Sequence, residues 1–103
     1  MVISLVRFKS KLSPGEIQVL YEERADRYRH VPGLLQKIYL LFRDGDSGAV
    51  YLWESEDALE TFRGSDLSRS ISEAYEVEDT PTFELADVSL IVDNRVAGSS
   101  PRG

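Results

Sequence analysis

A chain of 103 residues with 12 basic and 18 acidic side chains, net charge −6, holds one domain and offers no basic face to nucleic acid or an anionic membrane. The absence of cysteine removes disulfides, thiolate catalysis and zinc–sulfur sites, and a single histidine, His30, removes multi-histidine metal sites within one chain. No apolar run approaches the roughly 18 residues of a membrane span, and residues 1–8 are too short and alternating for a signal peptide, so a cytoplasmic protein is expected.

Val2, Ile3, Leu5, Val6 and Phe8 suit a first strand at about 2–9. Ser13-Pro14-Gly15-Glu16 then reads as a capping box with proline at the first helical position. The helix it starts, about 14–29, places Ile17, Leu20, Tyr21, Arg24, Ala25 and Tyr28 on one stripe. Val31-Pro32-Gly33 stops it, because the residue before proline is pushed away from helical angles.

A hairpin follows, turning at Asp44-Gly45-Asp46-Ser47-Gly48. Its first strand, 34–43, carries Leu34, Ile38, Leu40 and Phe42 on one face and Leu35, Tyr39 and Leu41 on the other. The expected register sets Phe42 opposite Ala49, Leu40 opposite Tyr51, Ile38 opposite Trp53, and Lys37 opposite Glu54 as an ion pair. Ser55 is a helix N-cap, with Ala58, Leu59 and Phe62 as the buried face behind it. Gly64-Ser65-Asp66 interrupts, and a second helical piece at about 66–75 carries Leu67, Ile71 and Tyr75. Asp79-Thr80-Pro81 is a loop before a last strand at about 82–92. Residues 1–93 make the domain, and the Gly-, Ser- and Pro-bearing tail 94–103 is expected to be flexible.

The order β-α-β-β-α-β is that of the ferredoxin-like plait, a four-stranded antiparallel sheet with both helices on one face. A half-exposed sheet should alternate apolar with polar residues, and this hairpin does not. A second copy of the chain is the simplest cover for the bare face. It would bury about 600–1,000 Å² per chain, which at about 25 cal/mol per Å² outweighs any surface polar contact.

Val31-Pro32-Gly33-Leu34 after an amphipathic helix, Lys37-Ile38-Tyr39 in the next strand, and Gly48-Ala49-Val50-Tyr51-Leu52-Trp53-Glu54-Ser55 running into Ala58-Leu59 together resemble the YdhR type of mono-oxygenase. That type belongs to the dimeric α+β barrel superfamily, with the antibiotic-biosynthesis mono-oxygenases, and the resemblance covers about residues 2–92. It implies a homodimer joined through the sheet face and a pocket between sheet and helices. The activity it implies is cofactor-independent oxygenation of a small aromatic or polyketide-like molecule, with no cofactor or metal. A non-catalytic ligand-binding or stress-associated dimer is the alternative.

Oxygenases of this superfamily are discussed with an asparagine, a tryptophan and an arginine around the substrate. Trp53 fits the tryptophan, whereas the only asparagine, Asn94, lies beyond the last strand. Tyr21, Tyr28, Tyr51, Phe62 and Tyr75 are the expected pocket lining, which reads equally as an ordinary aromatic core. Arg24 or Lys37 would stabilise a developing enolate. His30, with an unperturbed pKa near neutrality, is a possible general base, a haem ligand, or simply a cap at the helix end. Asp44 and Asp46 read as turn chemistry rather than a cation site. Glu73, Glu76, Glu78 and Asp79 read as a solvated acidic surface.

Overall fold

A computed structural model describes residues 1–94. Its elements are β1 (Val2–Phe8), α1 (Pro14–Arg24), a 3₁₀ turn (Ala25–Tyr28), β2 (Leu34–Leu41), β3 (Ser47–Trp53), α2 (Glu56–Arg63), α3 (Asp66–Arg69), α4 (Ile71–Ala74) and β4 (Thr82–Asp87). The four strands form one antiparallel sheet in the order β2-β3-β1-β4, the ferredoxin-like plait. No helix among the described residues is long and apolar enough to cross a membrane. The tail expected from Asn94 onward lies, beyond Asn94 itself, outside the described residues.

Local sequence chemistry sets the helix starts. Ser13 Oγ accepts from the Glu16 N–H at 3.2 Å, and the Glu16 carboxylate accepts from the Ser13 N–H at 3.0 Å, closing the capping box. Ser55 Oγ accepts from the Ala58 N–H in the same way at the head of α2.

Strand alternation then sorts the sheet into two surfaces. Val2, Ser4 and Phe8 of β1 and Ala49, Tyr51 and Trp53 of β3 turn inward and are buried against Ile17, Tyr21, Tyr28, Leu59, Phe62 and Tyr75 from the other side. The interleaved positions, Ile3, Leu5, Val50 and Leu52, pair with one another and with Ile38 on the opposite face. Ile38 there remains 47% exposed. Both faces of the hairpin are apolar, as read, and this chain's helices cover only one.

The register of the hairpin differs from the expected one by three residues. Leu41 faces Ser47, Tyr39 faces Ala49 and Lys37 faces Tyr51, with a bulge between Leu34 and Gln36. The cause is a tighter turn. Phe42 N–H donates to the Asp46 carbonyl at 2.8 Å, and the Phe42 carbonyl accepts from Gly45, whose φ of +99° a side chain would resist. Asp46 is also drawn onto β1 by Arg7 and Lys9, at 2.8 and 3.1 Å. Because the shift is odd, it moves Tyr51 and Trp53 to the face of Lys37 and Tyr39. The Lys37–Glu54 ion pair does not form; Glu54 lies exposed, its N–H bonded to the Gly33 carbonyl.

Three element ends also differ. The first helix is α-helical only to Arg24 and finishes as the 3₁₀ turn, which still delivers Tyr28 to the interior. The piece at 66–75 breaks at Ser70, whose hydroxyl donates to the Leu67 carbonyl and so competes with continuous helix. The last strand stops at Asp87 rather than 92. Asp87 is the last residue of the ladder, opposite Val2, and Val88 adds one bond to the Met1 carbonyl.

Gly33 joins the turn to β2 at φ +77°, and a Cβ there would collide with the Ala58 side chain. Gly33→Ala is therefore expected to cost about 2 kcal/mol, lowering Tm by roughly 10 °C. An unchanged melting curve would show that α2 shifts freely away from this turn.

Candidate functional site

Inward-facing residues of β2 and β3 meet the first helix and its 3₁₀ extension in an interior built almost wholly of aromatic rings. Tyr21 and Tyr39 have ring centroids 4.4 Å apart, and Tyr21 meets Tyr75 at 5.6 Å. Tyr28 stands between Tyr39, Tyr51 and Phe62 at 6.3, 6.3 and 5.9 Å. Behind Tyr51 lies Trp53, stacked on it at 5.7 Å, with Phe62 at 5.4 Å from the indole. Offset and tilted ring pairs of this kind are favourable beyond the area they bury.

Two cations sit inside this aromatic wall. Lys37 Nζ lies 3.2 Å from the centre of the Tyr28 ring, 4.2 Å from Tyr39 and 4.7 Å from Tyr51. Arg24, only 6% exposed, donates from Nη2 to Ser70 Oγ at 2.8 Å and lies 5.4 Å from the Tyr75 ring, while its Nε has no hydrogen-bond partner among the described residues. Neither cation forms a salt bridge among the described residues. A buried charge without its opposite costs several kcal/mol; Arg24 carries one, and the half-buried Lys37 beside it is driven toward its neutral form, so this interior favours an incoming negative charge.

Burial and the neighbouring Arg24 guanidinium push the Lys37 pKa down to about 6. The ring faces act in the opposite sense, since they favour the charged head. Burial raises the phenols of Tyr28, Tyr39 and Tyr51, and takes Tyr75 up to about 12, so these groups stay protonated as hydrogen-bond donors. The hydroxyls of Tyr28, Tyr39 and Tyr75 make no hydrogen bond of good geometry among the described residues, although the Arg24 guanidinium lies close enough to Tyr28 and Tyr75 to favour their ionised forms. Tyr21 differs: its hydroxyl accepts from the Gly48 N–H at 3.1 Å and donates to the Leu40 carbonyl at 2.9 Å, clipping β2 to β3.

The space around these groups has three parts. An inner cavity of about 30 Å³, large enough for about one water, is enclosed by Tyr21, Lys37, Tyr39, Tyr51 and Tyr75. A cleft of about 530 Å³ opens between the 3₁₀ turn and β2, lined by Tyr28, Arg29, Leu34, Leu35, Gln36, Lys37 and Tyr39. The cleft is in the range of small-molecule sites, and Lys37 and Tyr39 form the wall between it and the inner cavity. A third space of about 280 Å³ lies beyond Tyr51, beside Trp53, Phe62, Arg63 and Phe83.

Of the residues singled out in the sequence, Lys37, Tyr21, Tyr51 and Tyr75 line the inner cavity and Tyr28 joins Lys37 at the cleft, while Arg24 lines neither space and stands behind the Tyr75 ring. Trp53 and Phe62 lie one layer back. Trp53 is fully buried, and its indole N–H donates to Ser4 Oγ at 3.1 Å. His30 is not brought to this place; it is exposed in the turn and lines a separate groove with Arg27, Pro32 and Thr61. Sequence reasoning did not single out Tyr39, Ser4 or Ser70 as site residues. Tyr39 was findable, because Lys37-x-Tyr39 on a strand must share a face. No group of three or more metal-ligating side chains is assembled among the described residues.

No protein-family model matches the chain, and no curated protein sequence matches it. Solved structures do. SnoaB, a cofactor-independent oxygenase from Streptomyces nogalater, is 18% identical, over 88% of this chain and 95% of that one, with a TM-score of 0.70. The ActVA-Orf6 mono-oxygenase of Streptomyces coelicolor, solved with nanaomycin D, is 24% identical over 89% and 91%, with a TM-score of 0.67. A variant of MhuD with two manganese protoporphyrin IX molecules per active site is 16% identical over 90% and 99%, with a TM-score of 0.70. The fold is the one these antibiotic-biosynthesis mono-oxygenase structures share.

The depressed pKa of Lys37 makes stability depend on pH in a defined direction. The unfolded chain binds the lysine proton up to about 10.5, whereas the folded chain releases it near 6. The cost of burying this group is therefore complete below the lower value and vanishes above the upper one. Lys37→Met should raise Tm, with a gain that shrinks as pH rises through that window. An equal gain at both ends would mean that the lysine titrates normally.

Proposed function

We propose that the chamber takes a flat, electron-rich, weakly acidic aromatic or polyketide-like molecule, and that the protein is a cofactor-independent mono-oxygenase of such compounds. One observation carries this reading: Arg24 and Lys37 share an aromatic interior that supplies no carboxylate to either. A phenolate or enolate would provide the missing charge. The tyrosine hydroxyls with no hydrogen bond among the described residues would hydrogen-bond its oxygens, and the ring faces would stack on its plane. The cleft accepts a molecule of that size, with Lys37 and Tyr39 moving aside to join it to the inner cavity. The fold shared with a cofactor-independent oxygenase and with a mono-oxygenase solved with nanaomycin D supports the same chemistry.

In this reading Arg24 and Lys37 hold the anion, while Tyr28, Tyr51, Tyr75 and the Tyr21 ring contact the substrate. Trp53 and Phe62 back the aromatic wall, and surface-exposed His30 has no step. The carbanion form of a phenol or enol combines with dioxygen to give a peroxide. Loss of water then leaves a ketone, with one oxygen atom in the product and the other in water. The reaction needs no external reductant, and a dry, aromatic surround protects the carbanion.

Hydroxylated polycyclic aromatics should raise Tm and be consumed with uptake of dioxygen. Arg24→Met should weaken their binding about tenfold, equivalent to roughly 1.4 kcal/mol. Stabilisation without oxygen uptake would instead make this a binding protein, and no stabilisation by any such compound would end the aromatic-acid reading.

The working unit in this proposal is a cytoplasmic homodimer joined through the open sheet faces. The apolar set Ile3, Leu5, Ile38, Val50 and Leu52, bordered by Gln36 and Glu84, supports it, as do the exposed Leu90 and Val92 beyond β4. Sedimentation should give twice the 11.6 kDa of one chain. Ile38→Glu, at a half-exposed edge position the single chain tolerates, should halve that mass. A native protein that sediments as one chain at micromolar concentration would remove the dimer.

A further inference from the structure

We propose that Lys37 is the proton acceptor of this chamber: its amine, held without a counter-ion against Tyr28, Tyr39 and Tyr51, takes the proton of a bound phenol or enol. The inference rests on the aromatic-acid reading above and names the group that performs its first step. It follows by elimination among the groups that face the site. Arg24 from α1 is a guanidinium that keeps its charge, and Arg29 at the cleft rim is paired with Asp26. Tyr21, Tyr28, Tyr39, Tyr51 and Tyr75 are phenols made weaker acids by burial, so they donate hydrogen bonds. No aspartate, glutamate or histidine lines the inner cavity or the cleft among the described residues. Lys37 lines both, so its amine meets a ligand on the way in and stays beside it.

Burial and Arg24 leave that amine largely free at neutral pH. In the step, the ligand O–H or C–H bond breaks, its electron pair stays on the ligand, and the proton moves to Nζ. The new anion lies beside the ammonium formed with it, and that opposite charge raises the lysine pKa and draws the transfer forward. After dioxygen adds, the ammonium returns the proton to the peroxide and is again the free amine; the hydroperoxide then loses water, made from its terminal OH and the hydrogen left on the same carbon, to give the ketone.

The test has two arms. The chain has three lysines, Lys9, Lys11 and Lys37, so carbon-13 at lysine Cε resolves each by magnetic resonance, with Lys37→Arg giving the assignment. Lys37 should titrate near 6, and a midpoint at the ordinary lysine value overturns the proposal. In the second arm, 2-hydroxyanthraquinone reports its own ionisation by absorbance. Bound to the native protein it should show the phenolate band at pH values where the free dye is neutral, and Lys37→Met should bind the dye and lose that band. An equal band in Lys37→Met overturns the role of Lys37 alone. Failure of both proteins to bind the dye, with Lys37 still titrating low, overturns the aromatic-acid reading and this step with it.

Discussion

A β2–β3 hairpin that is largely apolar on both faces meets helices that can cover one of them, and that mismatch shapes the whole molecule. On the covered side, β3 sends Ala49, Tyr51 and Trp53 inward while its alternate residues, Val50 and Leu52, are left on the open side. The helices answer with Ile17, Tyr21, Tyr28, Leu59 and Phe62. Rings are bulky and rigid, so they pack into a wall with small gaps rather than a continuous aliphatic core. Those gaps are the chamber.

Into that wall the chain places Lys37 and Arg24, which an aromatic core does not require. Hydrophobic side chains of similar volume would serve packing better, because desolvating an ion costs more than ring faces return. Stability given up at one defined place, around three tyrosine hydroxyls with no hydrogen bond among the described residues, is the observation on which the proposed ligand site rests. Trp53 makes the contrast. Its indole N–H is satisfied by Ser4, and it behaves as packing that holds Tyr51 in position. A tryptophan chosen because the superfamily resemblance implies one is less informative here than a lysine with no partner.

The hairpin turn shows how a local error propagates. A looser turn would pair Lys37 with Glu54 and explain the lysine as half of a surface ion pair. The observed turn, tightened by Phe42, Gly45 and Asp46, slides the strands by three residues and puts Lys37 beside Tyr51. Sequence alone carries no measure of how many residues a turn uses when Asp-Gly-Asp-Ser-Gly allows several. One odd step exchanges the two faces, and with them the surroundings of every side chain on the strand.

Element order, the Ser13 and Ser55 caps, the inward stripe of Ile17, Tyr21, Arg24 and Tyr28, and the apolar character of both hairpin faces were all determined by sequence, because each depends on residues within a turn or two of one another. The register of β2 on β3 and the end of β4 at Asp87, opposite Val2, were decided only by tertiary contact. So was the chamber itself. The depressed pKa of Lys37 needs a helix, a 3₁₀ turn and two strands to close around one amine, and no window of sequence contains that geometry.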